Sequence, residues 1–249
     1  MATLNPLRVG VLLVDTVQLL DIAAVDLLFM TDPEYIKEIG MPKSMQELGR
    51  PCQVHYIGRG EAKEHSPVTA NMELSLTDSL TSPAVAPGQL DVLFVPGPPP
   101  DNMPCGDDYL EFLREHFKAG AEIMSVCTAA LVVAYSGITK GRVATAPRFL
   151  IPRLRKEFPD TRLWDDSMRV VRDGNLWSCG GITNGHDLMA EYLRQNYPAP
   201  LVNVILGAAD IVPRKIEYPT GPATDNAFFL WQILRSVPRY VLRMCNLQG

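Results

Sequence analysis

The sequence has no run of basic residues and no long apolar stretch, and each absence excludes a class of protein. Its 249 residues carry 23 Lys and Arg against 28 Asp and Glu, which gives a formal net charge of −5. Non-specific binding to nucleic acid depends on clustered cations that release counterions, so we expect no nucleic-acid partner. The longest uncharged stretch near the middle, 123–139, is interrupted by polar residues and is shorter than the about 20 apolar residues of a membrane span. We therefore expect no membrane helix.

Cofactor motifs are also missing. The sequence contains neither G-x-G-x-x-G nor G-x-x-x-x-G-K-[ST], and no His-x-x-x-His pair, so we expect no nucleotide cofactor and no metal. The N-terminus has one Arg followed by an apolar run that ends at Asp15, without the features of a secretory signal, and this favours a cytoplasmic location. Cysteines stand at positions 52, 105, 127, 179 and 245 with no C-x-x-C pair, which favours reduced thiols.

The composition indicates a globular α/β protein. Hydrophobic residues make up 47% of the chain and charged residues 20%, which is enough apolar material for a large core. Short apolar runs alternate with segments of helical spacing, a pattern typical of a parallel sheet covered on both faces. The predicted strands lie at 9–14, 54–57, 92–95 and 123–126, and the predicted helices at 19–30, 109–118 and 186–195. The polar residues 31–50 are expected to form a surface excursion, and Asp107 and Asp108 are expected to cap the helix at 109–118.

The chain shows no repeat and no linker, so we expect one domain. That domain spans 7–200, and residues 201–249 form a C-terminal helical extension packed on it. Pro213, the turn at 219–222 and Pro238 are expected to interrupt the extension, because proline lacks the N–H that a helix interior needs.

Polar and reactive side chains follow the predicted strands. In an open parallel sheet ligands bind beyond the carboxyl ends of the strands, so these residues are expected to meet in one crevice. They are Asp15 and Asp21 after the first strand, Gly97 after the third, Cys127 with Thr128 after the fourth, and Thr183, Asn184 and His186 after a hairpin around Asp173-Gly174.

Cys127 is the strongest single feature. It lies where a strand is expected to turn sharply into a helix, and such a turn exposes a nucleophile while the helix N-terminus stabilises its anion. A packed core thiol is the alternative, since free cysteine is among the most buried residues. Position alone leaves both interpretations open.

Three segments resemble the ThiJ/PfpI superfamily of class I glutamine amidotransferase-like proteins, and within it the isocyanide hydratase branch. They are S-V-C-T-A-A (125–130), V-Q-L-L-D (17–21) and V-V-R-D-G-N-L-W-S-C-G-G-I-T-N-G-H-D (170–187), within a resemblance that covers about 7–195. The resemblance implies a flavodoxin-like three-layer α/β sandwich with a mostly parallel sheet, usually as a homodimer. It also implies that Cys127 is the nucleophile and Asp21 its acidic partner. The residue type alone equally allows Asp21 to be an exposed helix cap.

The sequence departs from this family at several positions. Pro98 stands where relatives carry a second glycine whose amide helps hold an oxyanion, and proline has no N–H to donate. The Thr128 amide remains as an oxyanion donor, and Gly97, Thr183 and Asn184 are further candidates for binding the oxyanion or the substrate. Ala146 stands where many relatives have histidine, and Ala129 where they often have glycine. His186 occupies a position expected to be aliphatic, so it either replaces the missing base or is merely hydrogen-bonded near a helix start.

Three functions fit these residues. The first is a cofactor-independent hydratase in which Cys127 adds to a small electrophile, such as an isocyanide, and Asp21 relays the proton that leads to an N-substituted formamide. The second is a glyoxalase-like aldehyde hydratase that uses the same cysteine. The third is a non-catalytic dimer in which Cys127 serves as a redox sensor or binding residue.

Overall fold

The fold is built on one large sheet, seen here in a computed structural model that describes residues 5–212 and 214–246. The strands are β1 (Leu7–Leu12), β2 (Cys52–Gly58), β3 (His65–Val68), β4 (Met72–Ser75), β5 (Asp78–Ser79), β6 (Val92–Val95), β7 (Glu122–Ser125), β8 (Val143–Ala144), β9 (Leu163–Trp164), β10 (Val170–Asp173) and β11 (Leu176–Cys179). The helices are α1 (Leu19–Ile22), α2 (Asp26–Phe29), α3 (Pro33–Glu38), α4 (Lys43–Gln46), α5 (Asp107–Lys118), α6 (Ala129–Tyr135), α7 (Ile151–Glu157), α8 (Asn184–Asn196), α9 (Ala199–Ala208) and α10 (Pro222–Asn246).

The sheet has the order β10-β11-β7-β6-β1-β2-β5, and only the β10–β11 pair is antiparallel. One hydrophobic core lies between one face of the sheet and α1, α2, α8 and α9. A second core lies between the other face and α5, α6 and α7. The predicted flavodoxin-like three-layer sandwich with a mostly parallel sheet is therefore confirmed.

The register of the central strands brings their carboxyl ends together. Val95 pairs with Ser125, and Ser125 pairs with Ser178 on the next strand. The chain beyond each of these pairs therefore leaves the sheet at the same edge. This places the loops that begin near Gly97, Cys127 and Gly180 side by side.

Several local predictions needed correction. Residues 31–50, expected as a surface excursion, form α3 and α4, and Ile36 of α3 is fully buried. Asp107 and Asp108, expected to cap α5, lie inside its first turn, because Gly106 is the N-cap residue. Pro238 does not interrupt the C-terminal helix but lies inside α10. Pro213 and residues 247–249 lie outside the described part of the chain.

The two C-terminal helices differ in their surroundings. The apolar side of α9 is buried, with Leu201, Val202 and Ile205 in the first core. In contrast, the described side chains of α10 from Asn226 onward are all exposed. Over the described residues, no helix is both long and apolar enough to cross a bilayer.

Candidate active site

Cys127 lies on the expected sharp turn between β7 and α6. Its φ angle is 58°, in the left-handed region that non-glycine residues seldom adopt, and such a conformation costs about 1–3 kcal/mol. The Cys127 N–H donates to the carbonyl of Gly180 at 3.2 Å, which ties the turn to the loop after β11. Surrounding hydrogen bonds thus hold a strained backbone that turns the cysteine out of the strand direction.

The Cys127 side chain is partly buried beside the first core. Burial raises the pKa of its thiol above the ordinary value of 9.0, and the charge of Asp21 raises it further. The polar groups of Ile182 and Thr128 near the sulfur oppose this rise only in part. The net effect of these surroundings keeps the proton on the Cys127 sulfur at neutral pH. They therefore do not favour the stable thiolate that was expected at a helix N-terminus.

Asp21 lies on α1 and points into the protein. Its side chain is fully buried, and its Oδ2 accepts a hydrogen bond from the Gly97 N–H at 2.9 Å. Its Oδ1 is also buried and has no hydrogen-bond partner among the described residues. Burial raises the pKa of this carboxyl to about 6, with the Gly97 hydrogen bond opposing the rise. An exposed helix cap is excluded, since Gln18 is the N-cap of α1.

Gly97 and Pro98 position these two side chains. The Gly97 amide is committed to Asp21 and its carbonyl accepts from the Gln18 N–H at 3.0 Å, so Gly97 does not present the free oxyanion donor that was expected. The Thr128 hydroxyl donates to the Pro98 carbonyl at 2.5 Å. A Cβ on Gly97 would lie 2.5 Å from the Thr128 Oγ1 and 2.8 Å from the Asp21 Oδ2, which is closer than atoms can pack. A side chain at this position would therefore displace the Thr128 hydroxyl or the Asp21 carboxyl.

A second buried thiol lies next to Cys127. Cys179 ends β11 and is fully buried, and burial raises its pKa well above the ordinary value. The charge of Asp21 raises this pKa as well, and the Cys127 backbone opposes the rise. Cys179 had no predicted role, because its closeness to Cys127 depends on the β7–β11 register, which no local pattern shows.

Thr183 and Asn184 are held by residues from the C-terminal part of the chain. Arg214 Nη2 donates to the Asn184 Oδ1 at 2.9 Å and to the exposed Thr183 Oγ1 at 3.1 Å. The Asn184 Nδ2 donates to the Tyr218 hydroxyl at 2.7 Å, and the Tyr218 ring lies 4.2 Å from the Arg169 guanidinium carbon. These polar side chains therefore fix the start of α8 rather than standing free for substrate. No local sequence pattern identifies Arg214 or Tyr218 as their partners.

His186 lies in the first turn of α8 and is half-buried. Burial lowers the pKa of its imidazole, and Arg214 lowers it further. The Asp187 carboxylate and the Thr183 carbonyl oppose this effect without reversing it. The lowered pKa favours a neutral imidazole at neutral pH, and the role of His186 as a base stays a prediction.

Asp15, the weaker acidic candidate, belongs to a surface ion cluster. Its Oδ1 lies 3.2 Å from the Arg59 Nη1, and Arg59 also binds both oxygens of Asp108 at 2.7 and 2.8 Å.

An apolar cavity of about 610 Å³ lies along the outer side of α1 and α2, lined by residues that include Leu20, Phe29 and Tyr56. Neither Asp21 nor Cys127 lines that cavity.

The sequence profile of the DJ-1/PfpI family matches residues 27–195, which include Cys127 and its surroundings. The chain belongs to the DJ-1/PfpI family. It is 33% identical over 178 residues to the isonitrile hydratase of Pseudomonas putida, an alignment that covers 70% of this chain and 69% of that protein. Isonitrile and isocyanide name the same functional group. The resemblance to the ThiJ/PfpI superfamily is thereby confirmed.

Solved structures of DJ-1/PfpI proteins share the fold. A ThiJ/PfpI family protein from Pseudomonas syringae superposes with a TM-score of 0.67 at 16% identity, covering 94% of this chain and 88% of that one. DJ-1beta from Drosophila melanogaster superposes with a TM-score of 0.65 at 18% identity, covering 84% of this chain and all of that one.

Two departures from the DJ-1/PfpI pattern shape the site. Ala146, where many relatives have histidine, is fully buried, so this position supplies neither an acid nor a base. Pro98 has no N–H, and the preceding amide already holds Asp21, so residues 96–100 offer no free backbone donor to a substrate oxygen. The reactive groups that remain together are the Cys127 thiol, the Asp21 carboxyl and the Thr128 amide.

Proposed function

We propose that this DJ-1/PfpI protein is a cofactor-independent hydratase of small electrophiles, with an isocyanide as the substrate class and an N-substituted formamide as the product. Cys127 is the nucleophile and Asp21 is the acid and base. The identity to the isonitrile hydratase of Pseudomonas putida supports the reaction type. The substrate part of the proposal depends on that relative, while the roles of the residues depend on the geometry.

The observation that carries the proposal is the state of Asp21. One carboxyl oxygen is held by the Gly97 amide, and the other is buried without a partner among the described residues, in a side chain whose charge acts on the Cys127 thiol. Its pKa of about 6 means that the carboxyl both accepts and gives up a proton readily near neutral pH. An ordinary surface aspartate, ionised throughout this range, would be a poor proton donor.

The first half of the reaction joins sulfur to carbon. At neutral pH Asp21 is largely a carboxylate and Cys127 a thiol. As sulfur bonds to the terminal carbon of R–N≡C, the thiol proton passes to Asp21, and Asp21 then delivers that proton to the same carbon. The product of this half is the thioimidate Cys127–S–CH=N–R, and Asp21 is again a carboxylate.

The second half adds water and releases the cysteine. Asp21 takes a proton from water as the water oxygen bonds to the thioimidate carbon. Asp21 then passes that proton to the nitrogen, which gives S–CH(OH)–NH–R. The C–S bond then breaks, the hydroxyl becomes the carbonyl, and its proton returns to sulfur. The balance is R–N≡C plus water to R–NH–CHO, with Cys127 restored as a thiol.

This chemistry suits a site with few oxyanion donors. Loss of one such donor commonly costs about 2.7–4 kcal/mol in enzymes that pass through a tetrahedral oxyanion. Here the charge that develops in the first half lies on carbon and nitrogen, and the oxygen that adds later carries a proton. The missing N–H at Pro98 is therefore less costly for isocyanide hydration than it would be for amide hydrolysis.

The direct test is turnover of p-nitrophenyl isocyanide and of methylglyoxal by the wild type, Cys127→Ala and Cys105→Ala. Cys105 is a buried thiol of the second core and serves as the control for loss of a cysteine. We expect formamide production by the wild type and by Cys105→Ala, and a loss of more than about a thousandfold in Cys127→Ala. Turnover of methylglyoxal alone would support the glyoxalase-like alternative. Turnover of neither compound, with Cys127 readily oxidised, would support the sensor.

The pH profile tests the role of Asp21. The proposal requires an ionised Asp21 and a protonated Cys127, so kcat/KM should rise through a pKa of about 6 and fall again at alkaline pH. In Asp21→Asn the rise near pH 6 should disappear along with most of the activity. A rise that survives unchanged in Asp21→Asn would assign it to another group.

A further inference from the structure

Helix α10 presents an apolar face that nothing in the described part of the chain covers. Its large apolar side chains are each 48–65% exposed, and every described side chain from Asn226 to Tyr240 is exposed. Helical spacing gathers six of them on one side, since residues at i, i+1, i+4, i+5, i+8 and i+11 share a face. These six residues, the α10 face, are Phe229, Leu230, Ile233, Leu234, Val237 and Tyr240.

The α10 face is too large for an isolated surface. With roughly half of each side chain exposed, the six offer on the order of 700 Å² of mainly apolar area, above the about 300–600 Å² of the largest patch on a typical monomer. A stable protein interface buries about 800 Å² per partner, so this face nearly suffices alone.

The helix also needs packing in order to persist. Most helical stability in proteins comes from tertiary contacts, and Pro238 inside α10 removes a backbone hydrogen bond at a cost of about 3 kcal/mol. The helix is tied to the domain near its start, where the Arg148 Nη1 binds the Asp225 Oδ2 at 2.8 Å. Beyond that anchor the described side chains of α10 stay exposed, so residues 5–212 and 214–221 give them little support.

We propose that the α10 face packs against the α10 face of a second copy of this chain, antiparallel across a two-fold axis. A two-fold contact requires one surface that is complementary to itself, and an apolar face meets that requirement because the same side chains come from both copies. The charges favour the antiparallel arrangement, because Arg239 and Arg243 stand in the second half of the α10 sequence, and a parallel pair would bring them next to the same residues of the second copy. Antiparallel helices place opposite ends of their dipoles side by side as well.

The first experiment measures the molar mass in solution of wild type, Ile233→Glu and Gln232→Glu by sedimentation equilibrium. Ile233 lies in the α10 face, whereas its neighbour Gln232 points to the other side and receives the same new charge. We expect Ile233→Glu to halve the mass of the wild-type assembly and Gln232→Glu to leave it unchanged. Because both side chains are exposed, near-ultraviolet circular dichroism should show the same domain fold for all three proteins.

The second experiment tests the orientation by oxidative cross-linking of Leu234→Cys and Leu230→Cys, with wild type as the background. Leu234 is the midpoint of α10, so antiparallel pairing brings two copies of it together, while two copies of position 230 lie about 12 Å apart at 1.5 Å per residue, beyond disulfide reach. Cross-linking at 234 alone is the expected result.

The proposal is overturned by an equal mass for wild type and Ile233→Glu, or by cross-linking at both positions. Monomeric wild type that floats with phosphatidylglycerol vesicles would also overturn it and assign the α10 face to a lipid surface. None of these measurements uses enzymatic activity, so the result is independent of the proposed reaction.

Discussion

Replacing Asp21 by asparagine should change how the stability of the protein depends on pH. The carboxyl titrates at about 6 in the folded chain against an ordinary value of 3.8. Between these two values the folded state binds more protons than the unfolded state, so the free energy of unfolding falls as pH rises. Above pH 6 the buried charge costs the folded state its full penalty. Each tenfold change in proton affinity is worth about 1.4 kcal/mol, which makes that penalty about 3 kcal/mol.

The amide side chain introduced by Asp21→Asn would accept the Gly97 hydrogen bond without carrying a charge, so this penalty disappears. Of the roughly 3 kcal/mol that ionisation of Asp21 costs the wild type, linkage places about 2 kcal/mol between pH 4.5 and pH 8. The free energy of unfolding of Asp21→Asn minus that of wild type should therefore be about 2 kcal/mol larger at pH 8 than at pH 4.5. Any fixed cost of the amide that replaces Oδ1 is the same at both pH values and cancels in this comparison.

The assay is urea unfolding of wild type, Asp21→Asn and Asp26→Asn at pH 4.5 and 8, followed by the fluorescence of tryptophans that include the buried Trp177. Asp26 is an exposed acidic residue in the same segment, so Asp26→Asn is the matched control for replacing an aspartate by asparagine outside the core. If Asp21→Asn behaves like Asp26→Asn, then Asp21 is not a buried, readily protonated carboxyl, and the relay proposed for it fails.

Three further substitutions test the site. Gly97→Ala should destabilise the fold by about 1–3 kcal/mol and lower isocyanide turnover about tenfold or more, because the new Cβ displaces Asp21. Gly181→Ala is the control, since a Cβ there meets nothing within 4 Å. Equal effects of the two substitutions would contradict the packing argument. Thr128→Val should cost about 1–3 kcal/mol in urea unfolding because it leaves the buried Pro98 carbonyl without its donor, and an unchanged midpoint would argue against that bond. His186→Gln should keep kcat/KM within about twofold, and a loss of a hundredfold or more would restore the histidine as a catalytic base.

The sequence predicted the parts of the fold that depend on local patterns. The apolar run at 92–95 matches β6, and the small residues after β7 form the sharp turn at Cys127. These features follow from neighbours in the chain: apolar side chains form the buried strand, and a strand followed directly by a helix forces the turn.

Other parts of the site depend on distant contacts that no local pattern shows. Whether Asp21 is an exposed cap or a buried acid depends on the Gly97 amide, which comes from a different strand end. Thr183 and Asn184 looked available after their strand, but Arg214 and Tyr218 reach them from the C-terminal region. Cys127 was correctly placed, whereas the protonation of its sulfur depends on burial and on the charge of Asp21 and could not be predicted from the helix that follows it.

The most direct test of the central claim is acid quenching of the enzyme within milliseconds of mixing with p-nitrophenyl isocyanide, followed by peptide mass mapping. If Cys127 is the nucleophile, the peptide that contains it should gain the mass of one isocyanide in the wild type, and this adduct should form more slowly in Asp21→Asn, because Asp21 relays the thiol proton as sulfur bonds to carbon. Formamide production without any adduct on that peptide, or with full activity in Cys127→Ala, would contradict the mechanism.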